Sequence, residues 1–327
     1  MFDNHHRVIN YLRLSVTDRC NLRCVYCMPE QGIPFMAHSD ILTYEEMLHI
    51  VGLCIQLGIR KVRLTGGEPL VRKGFIGFVD RLCKIEDLDE ITLTTNGVLL
   101  KDFASALWNC GIRRINVSID TLKPDRFLQI TRRDEYGRVW EGIGEAERAG
   151  FNPLKLNVVA MRGINDDEVL DFVHLVREKP YHVRFIELMP MGGEDTFWTA
   201  ERFISAREIF SNIQTQVPLK PINRNPLDGP AERYTFDGAR GEIGFIGALS
   251  HHFCENCNRL RLTPDGHLRG CLFSEHETDI KTPLREGRGS NYILNLIKTT
   301  MQNKPANHGL IQSGPRKCIY RMNRIGG

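Results

Sequence analysis

Three cysteines fall within eight residues, Cys20, Cys24 and Cys27 in CNLRCVYC. A second three, Cys254, Cys257 and Cys271, lie in CENCNRLRLTPDGHLRGC with the spacing C-x2-C-x13-C. Structural zinc usually takes four ligands at short spacings, so each group is one ligand short unless a fourth comes from elsewhere. His251, His252 and His267 are the nearest candidates for the second group; the alternative leaves them in a solvated loop. An iron–sulfur cube has four irons, each wanting one external ligand. Three cysteines then leave one iron open to a substrate or cofactor. The other four cysteines, Cys54, Cys83, Cys110 and Cys318, are isolated. Cys54 and Cys83 fall on apolar helix faces, where a buried structural thiol is expected.

The chain has 327 residues, enough for one large domain or one domain with a smaller appendage. Hydrophobic content of 42% and charged content of 25% are ordinary for a globular protein. A net charge of +3 gives no argument for nucleic acid, although basic residues could gather around an anionic small molecule. The start, residues 1–10, has no apolar signal-peptide core, and no run approaches the ~20 apolar residues of a membrane span. The expectation is a cytoplasmic protein without membrane association. Ten cysteines in such a compartment point to metal or redox chemistry rather than disulfides.

Six strand-then-helix units are expected from residue 11 to about 211. Their strands begin YLRLSV, KVRLTG, EITLTT, RINVSI, LKLNVV and VRFIEL. The helix of TYEEMLHIVGLCIQLG opens on a capping box, Thr43 with Glu46, and stops at Gly58. NDDEVLDFVHLV puts Val169, Phe172, Val173 and Val176 on one helical face. Alternating strands and helices imply a parallel sheet. Six units are too few for a full eight-stranded barrel, so an open, incomplete (β/α)6 TIM-like barrel is the expected α/β fold, with a doubly wound sheet as the alternative.

Strands of a parallel sheet covered on both faces should be nearly all apolar. Here Arg13 and Ser15 alternate with Leu12 and Leu14, Arg63 and Thr65 with Val62 and Leu64, and Thr92 and Thr94 with Ile91 and Leu93. Asn116, Ser118, Lys155 and Asn157 alternate in the same way. Successive side chains point to opposite faces, so the polar set faces the barrel interior. The alternative, a solvent-facing antiparallel sheet, fits the long helical segments poorly. Inward Arg13, Arg63 and Lys155 suit an anion with several charges, such as a triphosphate.

C-x3-C-x2-C with Tyr26 before the last cysteine resembles the signature of the radical S-adenosylmethionine superfamily. LTGGEP at 64–69, TTNG at 94–97 and NVSID at 116–120 match further superfamily segments. RFIELMP, CNRLRLT and the terminal IGG, in this order, resemble the GTP 3′,8-cyclase family of molybdenum-cofactor biosynthesis over nearly the whole chain. The resemblance implies two [4Fe-4S] clusters, one on Cys20, Cys24 and Cys27 and one on Cys254, Cys257 and Cys271. It implies S-adenosyl-L-methionine beside Tyr26, Gly67, Ser118 and Met189, with Gly66, Gly67 and Glu68 near its amino group. It implies GTP contacts from Arg13, Arg63, Thr94, Lys155, Arg259, Leu260 and Arg261, with Lys61 and Arg184 as assisting cations. Arg13, Arg259, Arg261, Gly326 and Gly327 would be catalytic, the last two as a tail that enters the site; a frayed terminus is the alternative. Implied partners are a reductase or flavodoxin-type electron donor, a cyclic pyranopterin monophosphate synthase that receives the product, and a second copy in a homodimer. The expected domains are 1–212, the barrel, and 213–327, a smaller iron–sulfur unit covering its opening. Residues 291–302 should form an amphipathic helix. The rivals are a peptide-modifying radical maturase and a non-catalytic zinc or iron–sulfur scaffold.

Overall fold

A computed structural model of the chain describes all residues except 194–195, 224–228, 252, 309–317 and 327. Alternating polar and apolar segments form strands, and the amphipathic segments between them form helices. In chain order these are β1 (Tyr11–Ser15), α1 (Tyr44–Gln56), β2 (Lys61–Thr65), α2 (Phe75–Cys83), β3 (Glu90–Thr95) and α3 (Leu100–Cys110). There follow β4 (Arg114–Ser118), α4 (Pro124–Thr131), α5 (Tyr136–Ala149), β5 (Lys155–Ala160), α6 (Val169–Glu178), β6 (His182–Glu187) and α7 (Ala206–Gln214). The rest comprises β7 (Lys220–Pro221), β8 (Glu232–Thr235), β9 (Glu242–Ile246), β10 (Arg259–Leu262), β11 (His267–Arg269), β12 (Thr278–Asp279), α8 (Lys281–Arg285), α9 (Ser290–Gln302) and α10 (Met322–Ile325).

Among the described residues the strands form one sheet in the order β12-β11-β10-β1-β2-β3-β4-β5-β6-β9-β8-β7. The six expected units run in sequence through its centre, and every neighbouring pair from β1 to β6 is parallel. The sheet is unclosed, so the α/β incomplete-barrel expectation holds. Six strands beyond residue 212 extend it, two of them directly beside the six units. β10 pairs in parallel with β1, and β9 pairs in parallel with β6. The later part of the chain therefore supplies both flanks of the barrel.

The apolar set packs outward under the helices. Leu12, Leu14, Val62, Leu64, Leu93, Val117, Leu156, Val158, Val183 and Phe185 are buried in one core with Val169, Phe172, Val173 and Val176 of α6. Phe172 meets Phe185 edge-on, with ring centroids 5.9 Å apart. Each such side chain contributes ~1.5–3 kcal/mol on burial. The Thr43–Glu46 capping box starts α1, and Gly58 takes a φ of +94° just after its end. α9 packs against α1. Buried Cys54 belongs to the core, and Cys83 and Cys110 pack partly against it.

One helix contact has no slack. A Cβ on Gly142 of α5 would lie 2.5 Å from the Gly97 carbonyl oxygen and 3.0 Å from Leu100 Cβ, whereas one on Gly137 meets nothing within 4 Å. Gly142→Ala should destabilise the fold by about 1–3 kcal/mol. Gly137→Ala should be neutral or stabilising by up to about 1 kcal/mol. Thermal unfolding of the two variants checks the contrast.

Candidate active site

The polar strand faces enclose a cavity of about 310 Å³. Strand register sets its rungs. Arg261 of β10, Arg13 of β1 and Arg63 of β2 stand side by side, as do Arg259, Tyr11 and Lys61. Thr94, Asn116 and Lys155 form a third rung across β3, β4 and β5. Both cysteine triads line the same cavity. Two groups 227 residues apart in sequence, from Cys27 to Cys254, are thus brought to one space.

Its electrostatics are one-sided. Arg13, Lys61, Arg63, Arg114, Lys155, Arg184, Arg259, Arg261 and Lys304 line it, against a single carboxylate, Asp120, among the described residues. Glu90, one strand outward, pairs with Lys61 at 2.5 Å and with Arg114 at 3.0 Å. Burial, then Arg184, Arg114 and Arg63, hold the Lys155 ammonium down at about 7. Burial and the cations Lys155, Arg184 and Arg233 push His182 down to about 3. Burial would raise the Tyr11 phenol, but Arg63, Arg13 and Lys61 outweigh it and bring it to about 8. Buried Arg13 and Arg184 fall to about 10, so both stay charged at neutral pH. The Oδ1 atoms of Asn116 and Asn157, both on the cavity wall, are buried without a hydrogen-bond partner. A cavity with this wall fits a polyanionic, hydrogen-bonding ligand.

The first triad sits on the loop after β1. Burial pushes the Cys20 thiol up to about 11 and raises Cys24 and Cys27 further, which favours the neutral thiols in the absence of a bound cation. Cys20 Sγ accepts hydrogen bonds from the Leu22 amide at 3.4 Å and from Asn96 Nδ2 at 3.7 Å. Such outer contacts orient a metal ligand. A Cβ on Gly67 would collide with the backbone of Asp18 and Arg19, so only glycine lets the GGEP turn lie against this loop. Glu68 is turned away from the cavity. Its carboxylate is fully buried and accepts from Thr95 Oγ1 at 2.8 Å and from the Asn96 and Leu70 amides at 2.6 and 3.1 Å. It holds the end of β3 in place, while its neighbours Gly66 and Gly67 line the cavity. Tyr26 donates to Asp120 Oδ2 at 2.6 Å.

The second triad has a different environment. Burial would raise Cys257, but Arg259 and Lys304 outweigh it and hold its thiol at about 6. Lys304 Nζ also reaches the carbonyls of Arg259, at 3.0 Å, and of Gly270. Among the described residues no group of three or more His, Cys, Asp or Glu side chains is placed to hold a single metal ion. His267 faces Asp265 at 3.3 Å, and His251 is exposed beside Glu232. His252 lies outside the described residues. Arg261 donates to the Gly326 carbonyl at 2.6 Å. A Cβ on Gly326 would come within 2.9 Å of Ser15 and Thr65, so Gly326 packs closely against the ends of β1 and β2.

Cys20, Cys24, Cys27, Tyr26, Gly67, Ser118, Met189, Arg13, Arg63, Thr94, Lys155, Arg259, Arg261, Cys254, Cys257 and Cys271 all line the cavity, as do Lys61 and Arg184. Leu260 does not. It pairs with Leu12 and is fully buried in the apolar layer, because strand alternation turns it opposite to Arg259 and Arg261. Gly327 lies outside the described residues. Lys304, Asn96, Asp120 and Asn323 also reach the cavity and were not singled out from sequence. Asn96 and Asp120 sat in the quoted TTNG and NVSID segments; Lys304 had no sequence signal.

Residues 14–176 match the Radical SAM superfamily, and residues 181–310 match Molybdenum Cofactor Synthesis C. The chain is 47% identical over its full length, and that of the relative, to a GTP 3′,8-cyclase of Desulforamulus reducens. It is 48% identical, again over both full lengths, to that of Pelotomaculum thermopropionicum. Among solved structures it resembles Streptococcus suis SuiB bound to S-adenosylmethionine, with a TM-score of 0.62 over 95% of this chain and 67% of that one. At 13% identity that likeness shows the fold alone. With these matches over the full length, the chain belongs to the GTP 3′,8-cyclase family of radical S-adenosylmethionine enzymes.

Proposed function

We propose that this cavity binds GTP and S-adenosyl-L-methionine between two [4Fe-4S] clusters. The activity is conversion of GTP to (8S)-3′,8-cyclo-7,8-dihydroguanosine 5′-triphosphate, an early step of molybdenum-cofactor biosynthesis. The observation that carries the reading is the meeting of two three-cysteine groups on one wall of nine cations. The full-length relatives speak against a peptide-modifying maturase or a metal scaffold.

Cys20, Cys24 and Cys27 would hold the first cluster, and Cys254, Cys257 and Cys271 the second. When bound, the first cluster with S-adenosylmethionine supplies a one-electron reductive cleavage that ends in hydrogen removal from the ribose 3′ carbon. Gly67 leaves room for the methionyl part beside the loop, and Tyr26, Ser118 and Met189 border the rest of that molecule. Arg13, Arg63, Lys155, Arg259 and Arg261 match phosphate in charge and donor geometry, with Thr94 beside them. The backbone of Leu260 is all it could offer GTP from the strand. Arg261 fixes Gly326 against Ser15 and Thr65, so the tail narrows the space in which GTP can move. Placement matters, since a ~1 Å error can cost about a hundredfold in rate.

Residues 1–212 would be the radical-generating part, and 213–327 the part that holds the second cluster. The reaction needs an outside electron, which a reductase or flavodoxin-type donor would bring. The product would pass to a cyclic pyranopterin monophosphate synthase, and the enzyme would work as a homodimer. Ten free cysteines fit a reducing cytoplasm. Among the described residues no helix is long and apolar enough to cross a membrane.

Three outcomes follow from these assignments. Anaerobically reconstituted enzyme with reductant and S-adenosylmethionine should form 5′-deoxyadenosine and a pterin precursor only when GTP is added. Cleavage indifferent to GTP, with no cyclised product, would reject the cyclase assignment. Deleting Gly326 and Gly327 should abolish turnover while iron content and S-adenosylmethionine binding stay unchanged; full activity in the truncated enzyme rejects a working tail. Lys155 is charged below its value of about 7 and neutral above it. The KM for GTP of the free enzyme should therefore rise as pH increases through about 7. The loss of one charge-assisted contact, ~1.5–3 kcal/mol, amounts to roughly 10- to 100-fold. KM profiles of wild type and Lys155→Arg check this, because the arginine variant should stay flat.

A further inference from the structure

Outside the cavity, the first cysteine loop is wrapped in arginine. Arg132 takes a left-handed φ of +56° and donates to the carbonyls of Arg23 at 3.0 Å and Met28 at 3.1 Å. Arg23 turns back to the Cys20 carbonyl at 3.2 Å. The backbone of the loop is also zipped to α4, through Arg23 to Thr131 and Val25 to Ile130, both at 2.9 Å. The loop is thus a fixed surface rather than a flap. Exposed Arg19 and half-buried Arg23 both approach the ring of Phe35, at 5.4 and 5.8 Å, and Phe35 is 40% exposed. Arg133, next to Arg132, is exposed as well.

A recess of about 220 Å³ opens beside this belt. Tyr26, Cys27 and Met28 form part of its wall, and so do Arg132, Arg202 and Arg321. Its lining holds no carboxylate among the described residues. Segments 19–35 and 131–134 hold two acids, Glu30 and Asp134, both exposed; Asp18, just before the first segment, is fully buried and accepts from the Met36 amide at 2.8 Å. The arginines here do not face the substrate cavity, so the binding of GTP leaves them unexplained.

We infer that this belt is the docking surface for a small acidic one-electron carrier protein, with an acidic loop of the carrier seated in the recess that Cys27 helps to wall. The inference rests on the reading of the first cluster as a centre that must be reduced from outside. The cysteine loop is the part of that site nearest to this surface. Arginine at its rim raises the association rate of a negatively charged partner and orients it, and the effect falls with salt. Exposed Phe35, approached by two guanidinium groups, supplies an apolar anchor on the charged face.

The test compares two reductants on reconstituted enzyme. With a reduced flavodoxin as donor, Arg19→Glu and Arg133→Glu should each slow 5′-deoxyadenosine formation at least tenfold at low salt. The donor's Kd should rise by a similar factor, and both effects should shrink as ionic strength increases. With dithionite, which needs no docking, both variants should match wild type. Arg148→Glu, a charge reversal on α5, should change neither rate. Wild-type donor kinetics and affinity in both belt variants would overturn the docking surface. Loss of the dithionite-driven rate in the variants would also overturn it, because the damage would then lie in the cluster site itself. Failure of wild type to cleave S-adenosylmethionine with either reductant would instead refute the functional reading on which the inference rests.

Discussion

The structure is organised around like charge held in a confined space. The guanidinium groups of Arg13, Arg63, Arg184, Arg259 and Arg261 share a cavity with four more cations and, among the described residues, one carboxylate. Neighbouring groups record the cost. His182, Tyr11 and Lys155 are all displaced in the direction that a positive field dictates. Such a wall is unfavourable without ligand and becomes favourable once anionic charge arrives. Thiolate-bearing clusters and a triphosphate are anions of that kind.

Holding these cations apart from water requires a rigid outer layer, and the strands provide both at once. The same alternation that points Arg13 and Arg63 inward packs Leu12, Leu14, Val62 and Leu64 under the helices. Parallel pairing then aligns the inward groups across strands. β10 extends this to residues 248 positions away, placing Arg261 beside Arg13. The second cysteine group is carried by the same segment, Cys254 and Cys257 just before β10 and Cys271 just after β11. The β10–β11 pair thus delivers two arginines and positions three thiols.

Much of this was legible in the sequence because a period of two has consequences that do not depend on tertiary context. The inward set from Arg13 to Asn157, the capping box at Thr43 and the apolar face of α6 all follow from local pattern. What was not legible depends on long-range pairing. RLRL at 259–262 carries the same alternation as YLRLS, yet nothing local says that it completes the barrel beside β1. The alternation also separates Leu260 from the two arginines that flank it, which a motif taken as a block obscures. Glu68 sits in a recognisable GGEP segment, but its direction is decided by Thr95 and Asn96, on the next strand. Lys304 follows the amphipathic helix α9 but belongs to no motif itself, and it reaches the second cysteine group only through folding.

The central claim is that each cysteine triad holds its own open iron–sulfur cube at one cavity. Iron and acid-labile sulfide should be determined on anaerobically reconstituted protein, for wild type and for serine variants of Cys24 and Cys257. The account predicts about eight iron and eight sulfide per chain in wild type and about half of each in either variant. Zinc without sulfide, or a wild-type content of only one cube that the Cys257 variant leaves unchanged, would contradict it.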